Sequence, residues 1–186
     1  MRVGVLGGTF DPPHLGHLGL SINVLREALV DEVWFVPCLT HRFGKAPAPF
    51  DARLEMCRLL IAGRHSMRVS NIEETLRRPG YTLDLIETLM IDYPEHTFRL
   101  IAGQDIYHQK EKWHHYDDVA ALAPPIYVAR VGEQPIPGPL VAAPIDVSST
   151  EVKERLERGR SVDGLLAPAV IRYIETHNLY RTNDHD

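Results

Sequence analysis

The sequence predicts an α/β protein in which a parallel sheet is covered on both faces by helices. Short apolar runs of strand length alternate with amphipathic helical patterns from the first residues onward. Such alternation is the signature of a parallel sheet buried by its own crossover helices. No repeat, low-complexity tract or linker divides the 186 residues, so one domain is expected across 1–186.

The elements follow in order. Val3, Val5 and Leu6 begin an apolar strand that stops at Gly7-Gly8, and the loop TFDPPH follows. Leu15 to Val30 reads as a helix, with Leu18, Ile22, Leu25 and Leu29 at helical spacing. Glu32 to Val36 is a second strand, stopped by Pro37, and 38–49 is a long loop of the kind that carries function. Asp51 is placed to cap a helix carrying Leu54, Met56, Leu59, Leu60 and Ile61, before a third strand at Met67 to Val69. The polar, Arg-rich stretch 71–80 precedes a helix that starts at Thr82 or Asp84 and ends near Pro94. Thr97 to Ala102 is the fourth strand, ending at Gly103. Trp113 to Leu122 reads as a helix and Pro125 to Ala129 as the fifth strand. A Pro- and Gly-rich loop covers 131–140, and a short sixth strand falls within Leu140 to Ile145. Ser148 to Arg158 and Ala167 to His177 close the chain as helices.

Composition narrows the function. Twenty basic and 25 acidic residues leave a net charge of −5, which argues against non-specific nucleic-acid binding. A local cationic site for a phosphorylated ligand is still open. Cys38 and Cys57 are too few and too far apart for a disulfide framework or a structural zinc site. No apolar run approaches the roughly 20 residues that span a bilayer. Asp11, His14 and His17 interrupt any signal-peptide pattern, so a cytoplasmic protein with no membrane partner is expected.

In open parallel sheets, ligands bind at the carboxyl ends of strands where strand order reverses. Two strings fall at such places. The first, GGTFDPPHLGH at 7–17, joins a strand to a helix. Gly7 and Gly8 remove side chains where a ligand meets backbone. His14 and His17, three apart, share one face of the helix start, and Gly16 opens the helix backbone to a ligand. Free N–H groups and the helix dipole add positive potential. These parts suit a polyphosphate. The string is neither a Walker A loop nor GxGxxG, and its HxxH pair has no third metal ligand in sequence. The second string, VSSTEVKERL at 147–156, offers Ser148, Ser149 and Thr150 at a helix N-terminus with Lys153 one turn on. It suits an anion. Ser148 with Glu151 also fits a capping box, and the two readings are compatible.

With both strings in view, the chain resembles the bacterial nicotinate-mononucleotide adenylyltransferase family of the HxGH nucleotidyltransferase superfamily. FDARLEM (50–56), PGYTLDLIETL (79–89), LIAGQD (100–105), Trp113 with the following His-His-Tyr, VARVG (128–132) and LLAPAVIRYIETHNLY (165–180) extend the resemblance over nearly the whole chain. It implies a Rossmann-like doubly wound parallel sheet of nucleotidyltransferase type, with C-terminal helices. It implies transfer of AMP from ATP to nicotinate mononucleotide, with Mg²⁺ held mainly by ATP phosphates and no protein metal cage. Gly7, Gly8, Thr9 and Phe10 would line the ATP site, and His14 and His17 would bind the triphosphate and act in catalysis. Gly103 and Asp105 would contact ribose, and Ser148, Ser149 and Thr150 the β- and γ-phosphates, with Lys153 supplying charge beside them. Trp113 would stack on the pyridine ring, with Tyr81 and Thr82 near its carboxylate. Arg130 and Lys45 would be cationic contacts on the acceptor side. The implied partners are ATP and a pyridine mononucleotide, and a homo-oligomer is left open.

The chain departs from the family pattern at several points. Gly80-Tyr81-Thr82 replaces Ser-Tyr-Thr, and Asp84-Leu85-Ile86 replaces Asp-Thr-Leu. PCLTHRFGKAP stands for a compact Pro-Pro-His-Lys, and Val152-Lys153 for Ile-Arg. Most lie near the acceptor, so a related enzyme with another acceptor, such as nicotinamide mononucleotide, is the alternative. An aminoacyl-adenylating enzyme would need a tRNA-binding region that the sequence lacks. A nucleotide sensor would bind ATP without releasing pyrophosphate.

Overall fold

The computed structural model describes residues 1–40, 46–129, 136–142, 145 and 147–180. Six strands form one sheet: β1 (Arg2–Gly8), β2 (Glu32–Pro37), β3 (Met67–Val69), β4 (Thr97–Gly103), β5 (Ile126–Ala129) and β6 (Leu140–Ala142). All pairs are parallel and the order is β3-β2-β1-β4-β5-β6. This is the doubly wound order, with its switch point between β1 and β4.

Alternating side chains on each strand feed two cores. Val3, Val5, Trp34, Val36, Phe98 and Leu100 point to one face, which is covered by α3 (Thr82–Asp92) and α5 (Tyr116–Leu122). Leu6, Val33, Phe35 and Ile101 point to the other. There α1 (Leu15–Arg26), α2 (Phe50–Ile61), α6 (Ser149–Glu157) and α7 (Pro168–Thr176) supply Leu18, Met56, Val152 and Val170. Burial on both faces explains why the strands read as nearly continuous apolar runs. Gly4 sits close under Ile101 and Val30 inside β1: a Cβ there would lie 2.8 Å from Ile101 Cδ1 and 3.3 Å from Val30 Cγ2, so both would have to shift.

Several boundaries differ from expectation. α1 stops at Arg26 rather than Val30. Ala28 turns left-handed (φ 51°), and its N–H and that of Leu29 donate back to Leu25 O and Val24 O. The apolar pattern ran on because Val30 is buried as the chain enters β2. Asp51 lies inside the first turn of α2 and is not its cap; that position belongs to Pro49. The helix expected from Trp113 to Leu122 starts only at Tyr116, as α5; before it come α4 (Gln104–His108) and a 3₁₀ turn at Lys110–Lys112. Trp113 is extended and His115 is left-handed. The sixth strand is described at Leu140–Ala142, and positions 143 and 144 of the span allotted to it lie outside the described residues. Cys38 and Cys57 are free thiols. Among the described residues, no helix is long and apolar enough to cross a membrane.

Candidate active site

A cleft of about 510 Å³ opens at the carboxyl ends of the strands, over the β1/β4 switch point. Its floor is the end of β1. A Cβ on Gly7 would meet nothing within 4 Å, so the backbone there faces open space. Gly8 packs on the buried ring of Phe10, which lies beneath the cleft rather than in it. Thr9 is half-buried beside Cys38, whose thiol approaches its hydroxyl at 3.8 Å.

His14 is the N-cap residue of α1 and His17 its third residue. The rings stack at 3.6 Å between centroids, and Phe10 packs edge-on against His17 at 4.9 Å. His14 N–H donates to His17 Nδ1 at 3.2 Å, which leaves the His17 ring proton on Nε2. Burial pushes His14 down to about 4. Burial, with His14 beside it, pulls His17 well below its ordinary value. Both rings are therefore neutral near pH 7, and each keeps one ring N–H to donate. Gly16 lines the cleft, as its sequence suggests, and has a second use. A Cβ there would lie 2.8 Å from Val147 Cγ1 and 2.9 Å from His14 Nδ1. The absent side chain lets the second string pack on the first.

The opposite wall comes from β4 and α6. Gly103 and Asp105 line the cleft, and the Asp105 carboxylate folds back so closely over Gly103 that a side chain at 103 would collide with it. Ser148 lines the cleft and caps α6, its Oγ accepting from Glu151 N–H at 3.1 Å. Ser149 instead donates its hydroxyl to Pro12 O at 2.9 Å. Thr150 is exposed beside them. Lys153 does not line the cleft, since its Nζ is 2.7 Å from Asp11 Oδ2. At the far end, Thr82 and Trp113 line the same cleft. Tyr81 stands just outside, edge-on to His114 at 4.9 Å. Lys45 and Arg130 lie outside the described residues.

Three charged residues that the sequence did not single out shape this site. Arg53, 1% exposed, donates to Thr9 O (2.7 Å), Cys38 O (2.8 Å) and Ala48 O (2.9 Å), and so ties the loops after β1 and β2 to α2. Buried Glu73 lines the cleft and accepts from Gly80 N–H (2.7 Å) and Leu39 N–H (3.3 Å). Asp11, 5% exposed, accepts from Lys153, the Tyr180 hydroxyl and Ala48 N–H. Burial pushes the Asp11 carboxyl up, but these three donors together hold it below the usual range. Apart from Ala48 for Arg53 and Gly80 for Glu73, these partners are distant in sequence, so local spacing does not signal them.

A cleft with neutral N–H donors, open glycine backbone and a helix N-terminus favours an anion over a bare cation. The cytidylyltransferase-like family model matches residues 5–155. A probable nicotinate-nucleotide adenylyltransferase of Anaeromyxobacter sp. (strain K) is 43% identical, over 97% of each chain. Another bearing that name, from Oceanobacillus iheyensis, is 37% identical over 96% of each. Among solved structures, Plasmodium falciparum nicotinic acid mononucleotide adenylyltransferase complexed with NaAD superposes with a TM-score of 0.82 at 21% identity. It covers 96% of this chain and 97% of its own. That likeness speaks to the fold.

Proposed function

The chain belongs to the cytidylyltransferase-like family, among its nicotinate-nucleotide adenylyltransferases, and on that premise we propose how its site works. The reaction is transfer of AMP from ATP to the 5′-phosphate of nicotinate mononucleotide. The acceptor phosphate oxygen bonds to the α-phosphorus, the bond to the bridging β-oxygen breaks, and pyrophosphate leaves. The products are nicotinate adenine dinucleotide and pyrophosphate, and one domain across 1–186 carries the reaction. The observation that carries this reading is the stacked, neutral imidazole pair facing the same cleft as Gly7 and Ser148.

No side-chain nucleophile is needed, because the acceptor phosphate is already an anion. Catalysis is then positioning and stabilisation of charge on the phosphoryl oxygens. His17 Nε2–H and the His14 ring donate to the α- and β-phosphates. Gly7 lets backbone approach the nucleotide, with Gly8, Thr9 and Phe10 shaping the turn beneath it. Gly103 and Asp105 take the ribose. Ser148, with Ser149 and Thr150 around the α6 N-terminus, takes the outer phosphates. Trp113 stacks on the pyridine, and Thr82 and Tyr81 flank its carboxylate. Lys45 and Arg130 are assigned to the acceptor side from the family resemblance alone.

Among the described residues, no three His, Cys, Asp or Glu side chains cluster to hold a metal. The cleft's donors fit phosphates, so Mg²⁺ fits here as an ion bound by phosphate oxygens and water. When bound it would supply charge neutralisation on the departing pyrophosphate.

The test is pyrophosphate release with ATP and Mg²⁺, comparing nicotinate and nicotinamide mononucleotides. Release with the first, and little with the second, is expected. Release with the second only would favour the alternative acceptor, for which the substitution at Gly80 beside Thr82 is the structural reason, since both line the cleft. Release with neither would overturn the reading.

A further inference from the structure

We propose that Asp11 is a positioning residue for adenylyl transfer. It is the tie point through which Lys153 and Tyr180 hold the imidazole pair in register with the hydroxyls of α6. This deepens the reading above and rests on it.

Asp11 lies between the two glycines and the two histidines of the first string. Both of its oxygens are engaged. Oδ2 takes the Lys153 ammonium at 2.7 Å, while Oδ1 takes the Tyr180 hydroxyl at 2.6 Å and Ala48 N–H at 3.1 Å. A carboxylate only 5% exposed is tolerable only with such partners. Asp11 thus joins the first loop, the segment just before α2, the face of α6 and the segment that follows α7. Two flanking bonds act in the same sense. Ser149 donates to Pro12 O at 2.9 Å, and Leu15 N–H donates to Leu165 O at 2.8 Å. His14 therefore sits between two attachments to the C-terminal third of the chain.

The tail is held in an unusual shape for this purpose. Tyr180 has φ 62°, a region bulky residues rarely occupy and one that persists only where surroundings over-determine it. Its hydroxyl bond to Asp11, and Lys153 Nζ at 5.9 Å from its ring centre, supply that determination. The Lys153 charge is spent on a buried carboxylate. It reaches the phosphates only through the position of α6 and of the first loop.

The test compares Asp11→Asn, Lys153→Met, their combination, Lys153→Arg and Tyr180→Phe in the full chain. The readouts are kcat, KM for each substrate, and affinity for a non-hydrolysable ATP analogue by calorimetry. Each of Asp11→Asn and Lys153→Met should lower kcat by about 10²-fold, the order of loss for misplaced reacting groups. KM and analogue affinity should stay within about threefold, because ground-state contacts are retained. The double variant should be no worse than either single. Tyr180→Phe, which deletes one hydroxyl, should lower kcat by about tenfold, and Lys153→Arg should restore most of the Lys153→Met loss. Multiplicative losses in the double variant overturn the proposal, as does wild-type kcat in Tyr180→Phe. So does a loss of analogue affinity beyond about tenfold on Lys153→Met, the mark of a direct phosphate ligand. If Asp11→Asn does not fold, Tyr180→Phe with the two Lys153 variants decides. A wild-type enzyme that ignores nicotinate mononucleotide defeats the acceptor assignment alone, because the analogue titration needs no acceptor.

Discussion

Two imidazoles whose centroids lie 3.6 Å apart cannot both carry charge without strong repulsion. Burial removes the conflict by holding them neutral, and the His14 N–H bond to His17 Nδ1 aims the remaining His17 proton away from its own helix. His17→Ala removes that donor. It should lower turnover by about 10²–10³, the cost of deleting one charge-stabilising donor. The fold should survive, because His17 faces the cleft. A folded His17→Ala enzyme with normal kcat would end the assignment. At this scale the sequence showed what lies close along the chain. His14 and His17 are one helical turn apart, and Ser148 stands three residues before Glu151. It did not show Asp11, Arg53 or Glu73. Their partners lie up to 169 residues away, as Tyr180 does from Asp11. A lone charged residue in a string has no periodicity by which to be noticed.

α1 meets the segment just before α6 at Gly16, which makes that glycine a matter of packing as much as of ligand approach. Replacing a helical glycine by alanine ordinarily stabilises by up to about 1 kcal/mol. Here the new methyl would stand 2.8 Å from Val147 and 2.9 Å from the His14 ring. Overpacking of this kind costs about 1–3 kcal/mol, so the clash should win. Gly16→Ala should lower the urea midpoint and, by moving His14, reduce kcat as well. A higher midpoint with unchanged kcat would show that the two segments part easily. The pieces misread in the sequence share a cause at this scale. The end of α1 and the stretch before α5 are decided by left-handed residues, Ala28 and His115. Neither is a glycine, so neither announces a break. The six strands were legible because burial on both faces makes each a short apolar run.

The order β3-β2-β1-β4-β5-β6 puts the cleft at the one place where neighbouring strands send their chains to opposite faces. The imidazole pair at that place is held neutral by burial, and stability should report it. His14 is lowered to about 4 from an ordinary 6.5, and His17 is lowered too. Between those values the unfolded chain binds protons that the folded chain refuses, so stability falls as pH drops from 6.5 toward 4. Asp11, and Asp31 at about 2, are depressed carboxylates. Their stabilisation is complete above the ordinary 3.8 and is lost as pH falls below it. Glu73 is raised by burial and runs the other way, gaining as it protonates. The imidazoles act first on acidification, so urea midpoints should already decline between pH 6.5 and 4.5, before the depressed carboxylates titrate. His14→Asn, which cannot titrate there, should flatten that part of the profile while leaving the steeper loss below it. An identical slope in the variant would mean that His14 is as easily protonated in the folded chain as in water. The neutral donor pair at the switch point would then have to be abandoned.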